Sequence, residues 1–368
     1  MKNKFIAKGI LAVGTCIMTT SIFGAANPIE VNLVDMGNNV LNVSFKNTSD
    51  TSISFLKYNT PFFNNTKLFG DFFKFKGSNY KYVGFSNIKV KITDSGFITL
   101  KPGETISTQI ALDASYRIFN NSLGTLQYWN ALTYKVNPNK SFKSSSDLTT
   151  EIIQSKEAPV ELFHNNENVP YDKSNLIRDA LQFGNNSVVD SSCSGGFSED
   201  VSQAYKYAVT LVNTSIDDLN SLDVTNVPIG QLTAPRYNRW FGVYFSEAFN
   251  FVKTTYNNMK KLFPKATIYC DCPTSSDYDN AYAYSDMARP YTIVVCKQFW
   301  NAPVTGTDSK SGTLVHEMSH FYDVGGTIDV VYGQAAARNL AASTPISATH
   351  NADNYEYFSE NNPYIPIK

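Results

Sequence analysis

The chain has 368 residues, 42% of them hydrophobic and 14% aromatic, which is enough apolar material for two cores and more length than one average domain. Its formal net charge of −1 and pI near 6.4 leave no basic field of the kind that a nucleic acid or an anionic membrane surface would select. Neither is expected as a partner.

At the start, Lys2, Lys4 and Lys8 lead into an apolar run over residues 9–23, followed by Gly24-Ala25-Ala26. This order of charge, apolar run and small residues predicts a signal peptide over residues 1–26, cleaved near Ala26, and hence a secreted chain. The run is shorter than the roughly 20 residues a spanning helix needs, and no later segment offers a second span, so no membrane association is expected after its removal. Thr15 stands before Cys16 where a lipidated cysteine expects Gly or Ala, so lipidation is not expected.

Between residues 27 and 136 short alternating runs recur: Ile29, Val31, Leu33; Leu41, Val43, Phe45; Ile88, Val90, Ile92; Ile106, Ile110, Leu112. Such period-2 runs, separated by Asn, Gly, Ser and Asp clusters, predict an antiparallel β-sandwich, and Lys101-Pro102-Gly103-Glu104 is a turn. Residues 137–188 are richer in Asn, Ser, Lys and Asp and read as a linker with one short strand near residues 160–163.

From about residue 189 the pattern turns helical. Val201, Tyr205, Ala208, Val209 and Val212 share one face, with Ser198 placed as N-cap and Glu199 and Asp200 in the first turn. A second helix starts near Pro235, its Tyr237, Trp240, Phe241 and Tyr244 reading as core. Residues 267–295 are β-like. A third helix starts about Thr307 or Asp308 and is expected to run to Gly325-Gly326. Four cysteines remain after signal removal, Cys193, Cys270, Cys272 and Cys296; an even number in a chain addressed to an oxidising compartment predicts two disulfides.

The chemistry lies in that third helix. His316-Glu317-Met318-Ser319-His320 puts two imidazoles four residues apart on one face, close enough to share one Zn2+. Glu317 between them can take the proton of a water that zinc acidifies towards a pKa of about 7. A third protein ligand is required, and neither His164 nor His350 continues a histidine spacing. Asp329 stands just beyond the glycine pair; Asp323, Asp353 and Glu356 are equally able to coordinate.

His-Glu-x-x-His followed by Gly326-Thr327-x-Asp329-x-x-Tyr332-Gly333 resembles the aspzincin, or deuterolysin, family of metalloendopeptidases, in particular its peptidyl-Lys branch. The resemblance spans about residues 193–363 and includes Tyr237-x-x-Trp240-Phe241-Gly242, Cys270-Asp271-Cys272, Gly306-Thr307-Asp308-Ser309 and Asn351-Ala352-Asp353-Asn354-Tyr355-Glu356-Tyr357. It implies Asp329 as third ligand, Tyr332 as hydrogen-bond donor to the developing oxyanion, and disulfides Cys193–Cys270 and Cys272–Cys296. It also implies that Asp353 and Glu356 line the pocket for a lysine after the scissile bond, where two carboxylates in a partly dry site favour an ammonium.

The whole therefore reads as an α+β chain: an N-terminal antiparallel β-sandwich prodomain (27–136), a linker with the maturation site (137–188) and a mainly helical zinc-protease domain with a small β-region (189–368). The expected product is a secreted, monomeric zinc endopeptidase, made as a proenzyme, that acts on proteins and peptides on the amino side of Lys. The front unit is expected to be its own propeptide, with a retained binding module as the other reading; maturation is expected before Lys173 or elsewhere up to Val188. The competing functions are an aspzincin protease of broader specificity and a zinc-stabilised binding protein without turnover, against which Glu317 argues, since a structural site has no use for it.

Overall fold

In the computed structural model, residues 27–164 and 188–368 are described. The expected signal peptide and the stretch containing Lys173 lie outside the described residues. Alternation places Ile29, Val31 and Leu33 of β1 (Ile29–Asp35) and Leu41, Val43 and Phe45 of β2 (Val40–Asn47) inward, with polar neighbours outward. The remaining front strands are β3 (Ile53–Leu56), β4 (Phe73–Lys76), β5 (Tyr80–Tyr82), β6 (Lys89–Val90), β7 (Phe97–Leu100), β8 (Thr105–Ala111), β9 (Tyr116–Ile118), β10 (Ser122–Lys135), β11 (Leu148–Gln154) and β12 (Ala158–Leu162). β1, β2 and β8 form a three-stranded antiparallel sheet. The 14-residue β10 organises a six-stranded one, pairing with β11, β3, β12 and β4, while β7 joins β3. Both sheets contribute to one core in which the Phe45 ring meets those of Phe55 and Tyr128.

Two expectations change here. The front sheets do not end at residue 136: inside the segment read as linker β11 pairs with β10, as does β12, the short strand expected near residues 160–163. β11 buries only Ile153 and faces solvent otherwise, so its polar composition concealed a strand. The run Ile88, Val90, Ile92 is not a strand of the front sheets either: β6 leaves them and pairs antiparallel with a strand of the second half of the chain.

The second half holds β13 (Thr267–Tyr269), β14 (Ala281–Asp286) and β15 (Thr292–Val295), which with β6 make a mixed sheet in the order β13-β15-β14-β6. Its helices are α1 (Gly196–Ser221), α2 (Pro235–Phe241), α3 (Ser246–Leu262), α4 (Lys297–Asn301), α5 (Lys310–Ser319), α6 (Gln334–Ser343), α7 (Pro345–Ala348) and α8 (Ala352–Glu360). α1 buries Val201, Ala204, Ala208, Val212, Ile216 and Leu219 at three- and four-residue steps. It starts before Ser198: Gly195, at φ +62°, precedes the first turn, and no side chain caps it. Tyr237, Trp240 and Phe241 lie in the core, as their helical spacing predicts, while Tyr244, read as part of the same helix, is buried beyond its end at Phe241. No helix among the described residues is long and apolar enough to cross a membrane. The disulfides are Cys193–Cys270 and Cys272–Cys296, the pairing that the resemblance implies.

α5 is buried on every side and packs against α1, α8 and β14, so its residues are held rigidly. It is shorter than the sequence suggests. The Ser309 hydroxyl caps it by accepting from Gly312 N–H, and it stops at Ser319. The glycine pair terminates the following turn instead, where the Phe321 carbonyl accepts from the N–H groups of Val324, Gly325 and Gly326. A Cβ on Gly325 would stand 2.7 Å from Thr255 Cγ2, and Gly326 has φ +57°, which is why both positions are glycine.

Candidate active site

His316 and His320 project one turn apart, their ring centroids 5.0 Å from each other. The chain after Gly326 returns over the helix end and is pinned by residues near Asn351: Ile328 N–H donates to the His350 carbonyl, and the Asn351 side chain accepts from Val330 and Val331. This brings a carboxylate oxygen of Asp329 to 3.1 Å from His316 Nε2 and 3.7 Å from His320 Nε2. All three residues are buried, and neither Nε2 nor either Asp329 oxygen has a hydrogen-bond partner. Each such orphan costs about 1–3 kcal/mol in a folded interior, so two unpartnered Nε2 atoms beside one unpartnered carboxylate fit the three protein ligands of a zinc-like cation that keeps one position open. His320 Nδ1 sits 2.8 Å from the Thr327 carbonyl, which fixes its proton there and leaves the Nε2 lone pair facing Asp329. Asp323, equally able to coordinate on chemistry alone, is exposed and accepts the Tyr291 hydroxyl.

Burial and the surrounding carboxylates act on that donor set in opposite directions. Burial lowers the pKa of His320 to about 4 despite Asp329, so the ring is neutral and able to coordinate. For His316 burial also opposes the charged form, but Asp329, with Asp353 and Glu356 on the other side of the ring, outweighs it and holds the pKa well above 6.5. Asp329 is itself pulled below the usual carboxylate range by both histidines, against its burial. Burial raises the Glu317 carboxyl to about 8. Its Oε2 accepts from Ser285 Oγ at 3.0 Å, while Oε1 has no partner.

Asp353 and Glu356 lie behind His316, with Asp353 Oδ1 at 2.9 Å and Glu356 Oε2 at 3.3 Å from its Nδ1. Neither contact is aligned as a hydrogen bond. Asp353 also accepts Gly333 N–H at 2.6 Å. This second acidic cluster faces a cation that is already present: the Lys89 ammonium, 2.5 Å from Glu356, 3.4 Å from Asp353 and 3.9 Å from Asp308. Burial works against a charged Lys89, but these three carboxylates prevail and raise its pKa well above 10.5. Beside it lies a cavity of about 240 Å³ lined in part by Tyr282, Asp308, Tyr332, Asp353 and Tyr357. The Tyr332 hydroxyl is 2.7 Å from Asn59 Oδ1 and 3.2 Å from the Ile88 carbonyl.

The aspzincin family profile, described as lysine-specific metallo-endopeptidase, matches residues 231–360, and so covers every one of these residues that lies in the second half of the chain. An extracellular protease of Aeromonas hydrophila is 30% identical over 362 residues, covering 97% of this chain and 95% of the relative. The chain belongs to the aspzincin family. A peptidyl-Lys metalloendopeptidase of Armillaria mellea is 31% identical over 94% of this chain and 92% of its own length. The solved zinc peptidase from Grifola frondosa is 40% identical, covering 47% of this chain and 99% of that one, with a TM-score of 0.42.

As an aspzincin, the chain is a zinc metalloendopeptidase, and its substrates are peptides. The structure brings His316, His320, Asp329, Asp353 and Glu356 within a few ångströms of one another, with Glu317 beside His316 in sequence and Tyr332 on the cavity that Asp353 also lines. Reading the sequence missed Lys89, Asn59, Ser285 and Asn351. Lys89 carried no distinguishing signal: like Lys91 it alternates with Ile88, Val90 and Ile92, the pattern of an outward side chain, yet in the structure it is 3% exposed. The other three are ordinary polar residues whose role comes only from tertiary placement.

Proposed function

We propose that the chain is a secreted endopeptidase that cleaves on the amino side of lysine, with zinc held by His316, His320 and Asp329, and that residues 27–162 act as its propeptide. What carries the lysine preference is the buried pairing of an ammonium with Glu356 and Asp353 beside the metal ligands. Held by His316, His320 and Asp329, a zinc ion would supply Lewis acidity to the scissile carbonyl and would acidify the attacking water. Glu317, with Oε1 unpartnered, takes the water proton and passes it to the leaving amine. Tyr332 donates its hydroxyl to the oxygen that gains charge, and the His320–Thr327 contact keeps a ligand nitrogen pointed inward. Two carboxylates select Lys over apolar residues, since an unpaired pair of buried anions is costly.

Secretion is supported by the leader-like start and by the extracellular relative. The propeptide reading is supported by a front-half strand lying along the cleft. The test is a digest of an unfolded, lysine-containing protein by enzyme freed of its front domain, with and without a chelator, read by mass spectrometry of the product termini. New N-termini that are Lys and disappear on chelation are expected; equal cutting before Leu or Ala would refute the specificity.

A further inference from the structure

Residues 85–91 lie along β14 as an added edge strand. Val90 and Lys89 pair with Ala281 and Ala283, Ser86 N–H donates to the Ser285 carbonyl at 2.8 Å, and Lys91 N–H to the Asn280 carbonyl at 2.7 Å. Adding a strand to a sheet edge is a general way to bind an extended peptide. In this register the Lys89 side chain fills the acidic pocket and the carbonyl one residue earlier, Ile88, points at the Tyr332 hydroxyl. The Ile88–Lys89 bond is thus presented as a bond to be cut.

Tyr332 has a single hydroxyl proton. Asn59 Oδ1 competes for it at 2.7 Å against 3.2 Å for the Ile88 oxygen. Asn59 is held for this: buried, its Nδ2 donates to the Asp329 carbonyl at 3.0 Å and its own carbonyl accepts from Asn130 on β10. From these contacts we infer that the front domain inhibits its own enzyme as a bound but uncut substrate, with Lys89 filling the lysine pocket and Asn59 withholding the Tyr332 hydrogen bond from the Ile88 carbonyl. The inference rests on the lysine-specific reading above.

Freeing Tyr332 allows hydrolysis. A water oxygen bonds to the Ile88 carbonyl carbon, the Ile88–Lys89 C–N bond breaks, and one water proton passes through Glu317 to the Lys89 nitrogen. The other is released as the new carboxyl ionises. Losing one oxyanion donor costs roughly 100- to 1,000-fold in rate, so restoring Tyr332 should accelerate this cut by about 100-fold.

The experiment uses the zinc-loaded full chain as wild type, Asn59→Leu, Asn59→Asp, Lys89→Met and Asn59→Leu/Lys89→Met, scored for a new N-terminus at Lys89 and for hydrolysis of an added Lys peptide. Asn59→Leu should cut itself before Lys89 at a rate independent of protein concentration, about 100-fold faster than wild type. Asn59→Asp keeps the acceptor but loses the donor to Asp329, and should stay as slow as wild type. Lys89→Met should remove the cut from either background and raise hydrolysis of the added peptide at least tenfold. If Asn59→Leu hydrolyses the added peptide before Lys yet shows no terminus at Lys89, or if Asn59→Asp cuts as fast as Asn59→Leu, the inference is overturned while the lysine reading stands. If no variant cuts the peptide before Lys, both fall.

Discussion

Glu356→Gln isolates the charge that selects lysine. Its Oε2 is 2.5 Å from the Lys89 ammonium, and the two side chains are 0% and 4% exposed, so solvent screening is slight. Breaking a buried pair costs about 3–5 kcal/mol. Asp353 remains 3.4 Å away as a second counter-charge, which puts the expected loss near the lower end, about 3 kcal/mol or roughly 100-fold in kcat/KM. The assay compares two peptides differing only in Lys or Met after the scissile bond, with wild-type and variant enzyme freed of the front domain. A loss of about 100-fold on Lys with little change on Met is expected. An equal loss on both peptides would mean that Glu356 supports the site without reading the substrate.

The disulfides differ in what they tie. Cys193–Cys270 closes 77 residues of sequence and Cys272–Cys296 closes 24, so paired Cys→Ala replacement should cost about 4.5 and about 3.5 kcal/mol by chain entropy, measured by denaturant unfolding. Gly325→Ala drives a Cβ into Thr255 and should destabilise by about 1–3 kcal/mol, lowering Tm and weakening zinc retention together, because Thr327, two residues on, positions His320. Chelation should lower Tm, since it returns the four unpartnered atoms of His316, His320 and Asp329 to an unsatisfied interior; an unchanged Tm would argue against that site. Because the Lys89 pKa is raised, its contribution to holding the front domain is full below about 10.4 and is lost only as pH rises through the higher folded value. Front-domain retention in the Glu317→Ala chain should therefore be flat from about pH 7 to 10, checked by gel filtration after a nick in the linker.

Much of the site was legible because its chemistry is local. His316 and Glu317 sit on α5 and His320 caps its C-terminus with helical backbone angles, so spacing alone brings them together. Asp329 was only one of several candidates by chemistry, and its approach depends on Asn351, twenty-two residues further on, pinning the return loop. The core faces of β1, β2 and α1 follow directly from their periodicity. β11 escaped notice because an edge strand with one buried residue carries almost no alternation. β6 was misassigned for the opposite reason. Its alternation is genuine, but both of its faces are buried, and the strand it pairs with, β14, lies almost two hundred residues away. Periodicity reports that a strand has an inner face without naming the sheet it joins.

The ligand set is tested most directly by the zinc content per chain of wild type, Glu317→Ala and Asp329→Ala, each exchanged against a mild chelator. About one zinc should stay with wild type and with Glu317→Ala, which loses turnover alone, while Asp329→Ala should retain little or none. Zinc held by Asp329→Ala as firmly as by wild type would contradict the assignment of Asp329 as third ligand.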